Sequence, residues 1–220
     1  MSRTRKYRCK FELMLRIKIC GITNERDAAD ADRAGADAIG LQFFKGSVRH
    51  VSLDRALAIR KHIPPFISVV GIFVDAGRDE ILRITETVGL DYLQFSGNES
   101  PEDCADFPAQ TIKTIRVGSR DDLIGLDRYP VDALHLDSQV GAQYGGTGRT
   151  FDWSLVDGFN SPRPLIVAGG LRPENVAEAV KAMNPQAIDV CSGVESGPAI
   201  KDYDKMRLFT ENARRAHAEL

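Results

Sequence analysis

The sequence predicts an α/β fold in which eight parallel strands close into a (β/α)8 TIM barrel. From Leu15 onward, short β-branched apolar runs alternate with segments of helical periodicity, and each cycle takes about 20 to 30 residues. Eight such runs can be distinguished, which is the strand number of this barrel. An open doubly wound sheet is the alternative, but no strand is followed by the Gly-x-Gly-x-x-Gly turn that a dinucleotide-binding sheet usually carries.

The predicted strands are rich in Val, Ile and Leu, and they lie at residues 15–20, 37–43, 66–74, 92–95, 111–117, 133–137, 165–168 and 187–190. Four residues between them mark helix starts. Asn24 and Ser52 suit N-cap positions, while Pro101 and Pro173 suit the first turn of a helix. These signals predict helices after the first, second, fourth and seventh strands.

A last helix is predicted over about 203–216, because its apolar residues recur at helical spacing, at Met206, Phe209, Ala213 and Ala216. It would complete the outer ring, so residues 14–220 are expected to form a single barrel domain. Residues 1–13 precede the repeating pattern and are rich in Arg and Lys. They are expected to be a basic tail, disordered or docked outside the barrel, either as an arm for an anionic partner or as a frayed extension.

The composition is that of a soluble globular protein able to bury one sizeable core. Hydrophobic residues make up 43% and charged residues 27% of the chain, and the net charge is −2. This balance gives no bias toward nucleic acid or an anionic membrane, so any anion site must be local. The longest apolar run, at residues 66–74, is shorter than the roughly 18 residues that a membrane span needs.

The four cysteines are far apart and form no Cys-x-x-Cys pair; they are Cys9, Cys20, Cys104 and Cys191. This spacing fits neither a zinc site nor the disulfide framework of a small secreted protein. A reducing cytoplasm is therefore the expected location, and no metal is predicted.

Cys20 ends the first strand and is a candidate base or nucleophile. Gly21 follows it and allows a sharp exit from the strand and close approach of a ligand. A thiol has a pKa of about 8.5, so a nearby positive group would let it act as a base near neutral pH. The alternative is a buried cysteine that packs as a small hydrophobic side chain.

Asp137 ends the sixth strand after an apolar run and is a candidate general acid. A carboxylate there is costly unless it faces the open mouth of the barrel or has partners. Partial desolvation would raise its pKa and favour the protonated form. The alternative is a carboxylate that caps the following loop. Asp189, near the end of the eighth strand, is a weaker candidate of the same kind.

The loops after the seventh and eighth strands are candidate phosphate sites, because barrels commonly bind phosphate there. Gly169 and Gly170 let backbone N–H groups approach an anion, and the helix predicted to start at Pro173 would point its N-terminus at negative charge. Ser192 and Gly193 add a hydroxyl and further N–H donors. The alternative is that the glycines only shape tight turns.

Arg49 lies in the loop after the second strand, and its planar guanidinium suits a carboxylate or phosphate; the alternative is a solvated surface residue. After the sixth strand, three glycines within residues 145–148 predict a mobile lid or a turn over the ligand.

Seven short motifs, taken in order, resemble those of phosphoribosylanthranilate isomerases. They are Lys-Ile-Cys-Gly-Ile-Thr, Gly-Ala-Asp-Ala-Ile-Gly, Ser-Val-Arg-His-Val-Ser, Val-Gly-Ile-Phe-Val, Gly-Gly-Thr-Gly-Arg-Thr-Phe-Asp-Trp, Gly-Gly-Leu-Arg-Pro-Glu-Asn-Val and Ser-Gly-Val-Glu. The resemblance covers about residues 15–215, and it implies a barrel of the phosphosugar (ribulose-phosphate) binding type.

The resemblance also implies a reaction, the Amadori rearrangement of N-(5'-phosphoribosyl)anthranilate in tryptophan biosynthesis, with no cofactor or metal. It implies that Asp137 protonates the furanose ring oxygen, that Cys20 takes the proton from C2 of the sugar, and that Arg49 holds the anthranilate carboxylate. The phosphate would bind at Gly169 and Gly170 in one loop and at Ser192 and Gly193 in the other.

The sequence departs from the family pattern after the fourth strand. Where the family commonly has Gln-x-His-Gly, this chain has Gln94 followed by Ser96 and Gly97. We therefore expect no catalytic role for Ser96 and retain Gln94 as a possible ligand contact. Lys45 and Gly46 also stand where the family tends to have a proline.

Two other functions are compatible with a barrel of this kind. A histidine-pathway isomerase performs the same rearrangement, but that class uses an aspartate at the end of the first strand, where this chain has Cys20. A non-catalytic binding module would keep the phosphate site without turnover. The sequence leaves open whether the protein is a monomer or a homodimer.

Overall fold

The computed structural model describes residues 14–138, 153–156 and 158–220. Within this part of the chain, eight parallel strands close a barrel in sequence order, with β8 paired to β1. The strands are β1 (Arg16–Cys20), β2 (Ala38–Gln42), β3 (Ser68–Phe73), β4 (Tyr92–Phe95), β5 (Gln110–Val117), β6 (Ala133–Ser138), β7 (Leu165–Val167) and β8 (Ala187–Val190). The predicted closed barrel is confirmed, and the open sheet is excluded.

Five α-helices of the described residues surround the barrel: α1 (Glu25–Arg33), α2 (Leu53–Arg60), α3 (Arg78–Val88), α4 (Val176–Met183) and α5 (Tyr203–His217). The side-chain oxygen of Asn24 accepts a hydrogen bond from the amide of Asp27 at 2.8 Å, and Ser52 caps α2 in the same way. Both N-cap predictions and the prediction of the last helix are confirmed.

Two predicted helix starts are wrong. After Pro101 the chain forms only a 3-10 turn, Glu102–Cys104. α4 begins at Val176 rather than Pro173, because the Asn175 side chain binds the turn ahead of it: its Oδ1 accepts from the Arg172 amide at 2.8 Å and its Nδ2 donates to the Gly170 carbonyl at 3.0 Å. Further 3-10 turns lie at Arg120–Leu123, Leu126–Arg128, Trp153–Val156 and Ser192–Val194.

The core lies between the outer surface of the barrel and the helices. Strand residues alternate in direction, so Ile17 and Ile19 of β1 and Leu134 and Leu136 of β6 point toward the helices and are at most 1% exposed. Each such side chain contributes about 2 kcal/mol of hydrophobic stabilisation. The alternate positions point into the barrel, where several are polar.

After β8 the chain turns back over the mouth of the barrel. The antiparallel strands β9 (Glu195–Gly197) and β10 (Ile200–Lys201) form this hairpin. The amide of Lys201 donates to the buried carboxylate of Asp27 at 3.0 Å, which ties the hairpin to α1.

None of the helices in the described residues is long and apolar enough to cross a membrane. The predicted tail at residues 1–13 and the predicted lid at residues 145–148 lie outside the described residues.

Candidate active site

Polar side chains enter the barrel in pairs, two residues apart on one strand. Because residues two apart share a face of a strand, each pair supplies one side chain to the barrel interior and one to its mouth. Five pairs supply ten side chains. Nine of these line a single cavity at the carboxyl ends of the strands, and the tenth, Lys18, lies beneath it. The pairs are Lys18 with Cys20, Gln94 with Ser96, Thr114 with Arg116, His135 with Asp137, and Asp189 with Cys191.

Asp189 is the centre of a buried polar network below the mouth. Its Oδ2 accepts from Lys18 Nζ at 2.8 Å and contacts His135 Nε2 at 2.9 Å. All three side chains are at most 6% exposed. Burial would raise the pKa of Asp189, but the charge of Lys18 and the hydrogen bond from His135 lower it to about 2. Asp189 is therefore a carboxylate with one oxygen already committed to protein groups.

The pKa of Asp137 is shifted in the opposite direction from that of Asp189. Burial raises the pKa of its carboxyl above the ordinary value, and the nearby charge of Asp189 acts in the same direction. His135 and the Ser138 amide, which donates to Asp137 Oδ1 at 2.8 Å, oppose this shift. The expected rise in pKa at the mouth is thus present, and it favours a carboxyl that can donate a proton.

Cys20 and Cys191 lie side by side at the ends of β1 and β8. The proximity of the two thiols raises the pKa of Cys20; for Cys191 it acts with Lys201 and Arg49 against burial and lowers the pKa to about 7. Burial also raises the pKa of Cys20, and Lys18 opposes it. These shifts favour the thiol form of Cys20 and the thiolate form of Cys191.

Arg49 is held by a residue of the hairpin. Its Nε and Nη2 each donate to the Glu195 carboxylate at 2.7 Å, and Lys201 Nζ donates to the same carboxylate at 2.8 Å. Burial would raise the pKa of Glu195, but these two cations hold it below its ordinary value. Arg49 is therefore a partly buried, oriented group rather than a solvated one.

The two predicted phosphate loops meet at one side of the cavity. Gly169 has φ +85°, and a Cβ there would lie 2.6 Å from the Ser138 amide nitrogen. A Cβ on Gly193 would overlap the carbonyl oxygen of Leu171 in the other loop. The absence of a side chain at Gly169 therefore lets the loop after β7 approach the end of β6, and its absence at Gly193 lets the loop after β8 pack against the loop after β7.

A small hydrogen-bonded cluster occupies the side of the cavity formed by β4 and β5. Gln94 Nε2 donates to Ser96 Oγ and to Thr114 Oγ1, both at 3.2 Å, and these two hydroxyls lie 2.9 Å apart. Arg116 Nη2 donates to the Ser96 carbonyl at 2.6 Å. Ser96 thus belongs to a cluster that orients Gln94.

All the predicted site residues line this one cavity: Cys20, Arg49, Gln94, Asp137, Gly169, Gly170, Asp189, Ser192 and Gly193. Sequence reasoning missed Lys18, His135, Glu195 and Lys201. Lys18 and His135 could have been found, because each stands two residues before a predicted catalytic residue and so shares its face. Glu195 ends the Ser-Gly-Val-Glu motif, but nothing in that motif indicated its contact with Arg49, and nothing local in the sequence indicated Lys201.

A family model and curated relatives that match this chain belong to the same family. Residues 17–212 match the family model described as N-(5'phosphoribosyl)anthranilate (PRA) isomerase. A relative from Magnetococcus marinus, called N-(5'-phosphoribosyl)anthranilate isomerase, is 47% identical over 204 residues, which are 93% of this chain and 97% of the relative.

Solved structures that are similar to this chain belong to the same family. The phosphoribosyl anthranilate isomerase of Thermotoga maritima superimposes with a TM-score of 0.86 at 38% identity, over 92% of this chain and 100% of that one. A crystal structure of such an isomerase in complex with reduced 1-(o-carboxyphenylamino)-1-deoxyribulose 5-phosphate has a TM-score of 0.83 at 36% identity, with the same coverage. The chain belongs to the family of N-(5'-phosphoribosyl)anthranilate isomerases.

Proposed function

We propose that this protein converts N-(5'-phosphoribosyl)anthranilate to 1-(2-carboxyphenylamino)-1-deoxyribulose 5-phosphate in tryptophan biosynthesis, by general acid–base catalysis without a cofactor. One observation carries the proposal. The Cys20 thiol and the Asp137 carboxyl open into the same cavity as the two glycine loops after β7 and β8. This arrangement supplies a base, an acid and an anion site to one small ligand.

Asp137 is the general acid in this proposal. Ring opening of the furanose requires a proton on the ring oxygen, and a carboxyl whose pKa is raised by burial retains that proton at higher pH. The neighbouring Asp189 stays ionised beside Lys18, so two carboxylates of one interior have separate roles.

Cys20 is the general base that removes the proton from C2 of the opened sugar. In the free site the neighbouring Cys191 and burial raise the pKa of Cys20, which favours its protonated form. Loss of one proton from the pair leaves a monoanion, and Cys20 carries the charge whenever the remaining proton moves to Cys191. The Lys18 ammonium favours the charged form of Cys20 at that moment.

The remaining predicted residues bind the substrate in this proposal. Two of the five N–H groups of Arg49 are used by Glu195, so the guanidinium retains donors for the anthranilate carboxylate. The loops at Gly169–Gly170 and Ser192–Gly193 take the phosphate through backbone N–H groups and a hydroxyl. Gln94 and Asp189 stay predicted contacts of the ligand.

The test is direct turnover. The substrate is generated from anthranilate and phosphoribosyl pyrophosphate with an anthranilate phosphoribosyltransferase, and loss of its fluorescence is followed after the purified chain is added. We expect Cys20→Ala and Asp137→Asn each to lower kcat by on the order of 10² or more, the usual scale for acid–base groups. Cys104→Ser, at a buried cysteine outside the cavity, is the matched control.

The outcomes separate the alternatives. Wild-type turnover in either catalytic variant would remove the role assigned to that residue. Binding of a product analogue without any loss of fluorescence would instead favour a non-catalytic binding module. We further propose that the protein acts in the cytoplasm as a monomer or homodimer, which sedimentation would distinguish.

A further inference from the structure

Cys20 and Cys191 occupy neighbouring strand ends in a geometry that permits a covalent bond. Ile19 and Val190 are register partners of β1 and β8, and the two cysteines are the next residues along. Neighbouring strands are about 4.8 Å apart, and a disulfide requires Cα atoms about 4.4 to 6.8 Å apart. The two backbones are therefore at a separation that a disulfide accepts.

The Cys191 side chain points toward the chain that follows β1, whereas Cys20 Sγ lies beside Gly40 of β2, so the bond requires a rotation of the Cys20 side chain. A Cβ placed on Gly21, the residue after Cys20, would lie 2.9 Å from Cys191 Sγ. The Cys191 sulfur is thus packed directly against the chain that carries Cys20, and both side chains line the same cavity and are half-buried. A small oxidant that enters the mouth can reach both sulfurs.

We propose that Cys20 and Cys191 form an oxidisable dithiol, a modification site that hydroperoxides convert to an intramolecular disulfide. In the first step, the Cys191 sulfur attacks one oxygen of the peroxide. An S–O bond forms, the O–O bond breaks, and hydroxide leaves to take a proton from solvent.

In the second step, the Cys20 sulfur attacks the sulfur of the Cys191 sulfenic acid. The S–S bond forms, the S–O bond breaks, and the departing hydroxide takes the thiol proton as water. Two thiols are oxidised by two electrons and one hydrogen peroxide is reduced to two waters. A dithiol reagent reverses the modification.

The groups around the Cys191 sulfur indicate that Cys191, rather than Cys20, attacks the peroxide first. Lys201 Nζ lies 3.9 Å from its sulfur, and the low pKa described above gives it a large thiolate fraction at neutral pH. Cys104 is the internal contrast, because burial raises the pKa of its thiol to about 12 and its side chain is fully buried. It should not react under the same conditions.

The loss of activity on oxidation rests on the proposed function, since the disulfide would block the sulfur assigned as the base. Formation of the disulfide does not depend on that assignment. The two are therefore measured separately, by mass and by turnover.

The experiment uses the full chain with Cys9→Ser, which leaves three of the four cysteines. The protein is treated with hydrogen peroxide, denatured and alkylated with N-ethylmaleimide. We expect one alkylated cysteine, Cys104, and a peptide that links Cys20 to Cys191. Turnover should fall in parallel and return with dithiothreitol. In Cys191→Ser on the same background, no linked peptide should form, and loss of turnover relative to its own untreated sample should be at least about ten-fold slower.

Three alkylated cysteines after treatment, or a linked peptide that includes Cys104, would overturn the inference while leaving the isomerase proposal intact. A Cys20–Cys191 disulfide with undiminished turnover would support the modification site and would remove the catalytic role of Cys20.

Discussion

Lys18 and Asp189 face each other at one register position of β1 and β8, and Lys18 Nζ lies 2.8 Å from Asp189 Oδ2 with both side chains buried. The pair joins the first and last strands, so it sits at the seam where the barrel closes. His135 contacts the same carboxylate oxygen from β6. The Asp189 carboxylate therefore both stabilises the closed barrel and sets the charge beneath the site.

Removal of that carboxylate charge should destabilise the fold strongly. Asp189→Asn leaves the Lys18 ammonium buried without its partner, and we expect a loss of about 3 to 5 kcal/mol in the free energy of unfolding, measured by urea denaturation. The double variant Lys18→Met, Asp189→Leu removes both charges and should lose less. A single variant that is as stable as the wild type would contradict this assignment.

Acid should weaken the same interaction. The pKa of Asp189 is about 2 in the fold and about 3.9 in an unfolded chain, so its contribution is complete above pH 4 and is lost as pH falls through 2. This corresponds to on the order of 2 to 3 kcal/mol. The free energy of unfolding of the wild type should therefore decline more steeply between pH 4 and 2 than that of Asp189→Asn. Equal slopes would argue against the lowered pKa.

The rate should depend on pH through the thiol pair. The reaction requires a protonated Asp137 and an ionised thiol pair, so kcat/KM should follow a bell with one limb near pH 7, where the pKa of Cys191 lies. In Cys191→Ser the proton must leave Cys20 itself. The variant removes the contribution of Cys191 to the raised pKa of Cys20, but burial still raises that pKa, so this limb should move to higher pH. An unchanged pH profile in Cys191→Ser would show that Cys191 does not affect the pKa of the base.

Glu195 should act on substrate binding through Arg49. Glu195→Gln weakens the bidentate contact that orients the guanidinium, and we expect KM to rise about ten-fold with a smaller change in kcat. Glu174→Gln, at an exposed carboxylate paired with Arg172, is the control. A lower KM in Glu195→Gln would mean that Glu195 competes with the substrate for Arg49.

Gly193 should tolerate no side chain. In Gly193→Ala the new Cβ would overlap the Leu171 carbonyl, so the loops after β7 and β8 must separate, at a cost of about 1 to 3 kcal/mol in unfolding free energy. KM should rise at the same time, because these loops form the proposed phosphate site. Gly77→Ala is the matched control, since a Cβ there meets open space. Unchanged KM in Gly193→Ala would place the phosphate elsewhere.

The parts of the fold that were predicted correctly are those encoded by neighbouring residues. A short β-branched apolar run marked each strand, and Asn24 and Ser52 marked two helix starts because their side chains bind amides three residues ahead. The predicted start at Pro173 failed for a related reason. The choice between Pro173 and Val176 was made by Asn175, which binds both Arg172 and Gly170.

The sequence by itself determined the eight strands, the strand ends that carry Cys20 and Asp137, and the glycines of two adjacent loops, since apolar runs and glycine positions are local properties of the chain. Only the tertiary structure decided which groups are partners. Lys18 and Asp189 are 171 residues apart, and Arg49 and Glu195 are 146 apart. Closure of β8 onto β1 brings these residues within hydrogen-bond distance in a buried interior, and there the pairing sets the protonation state of each group.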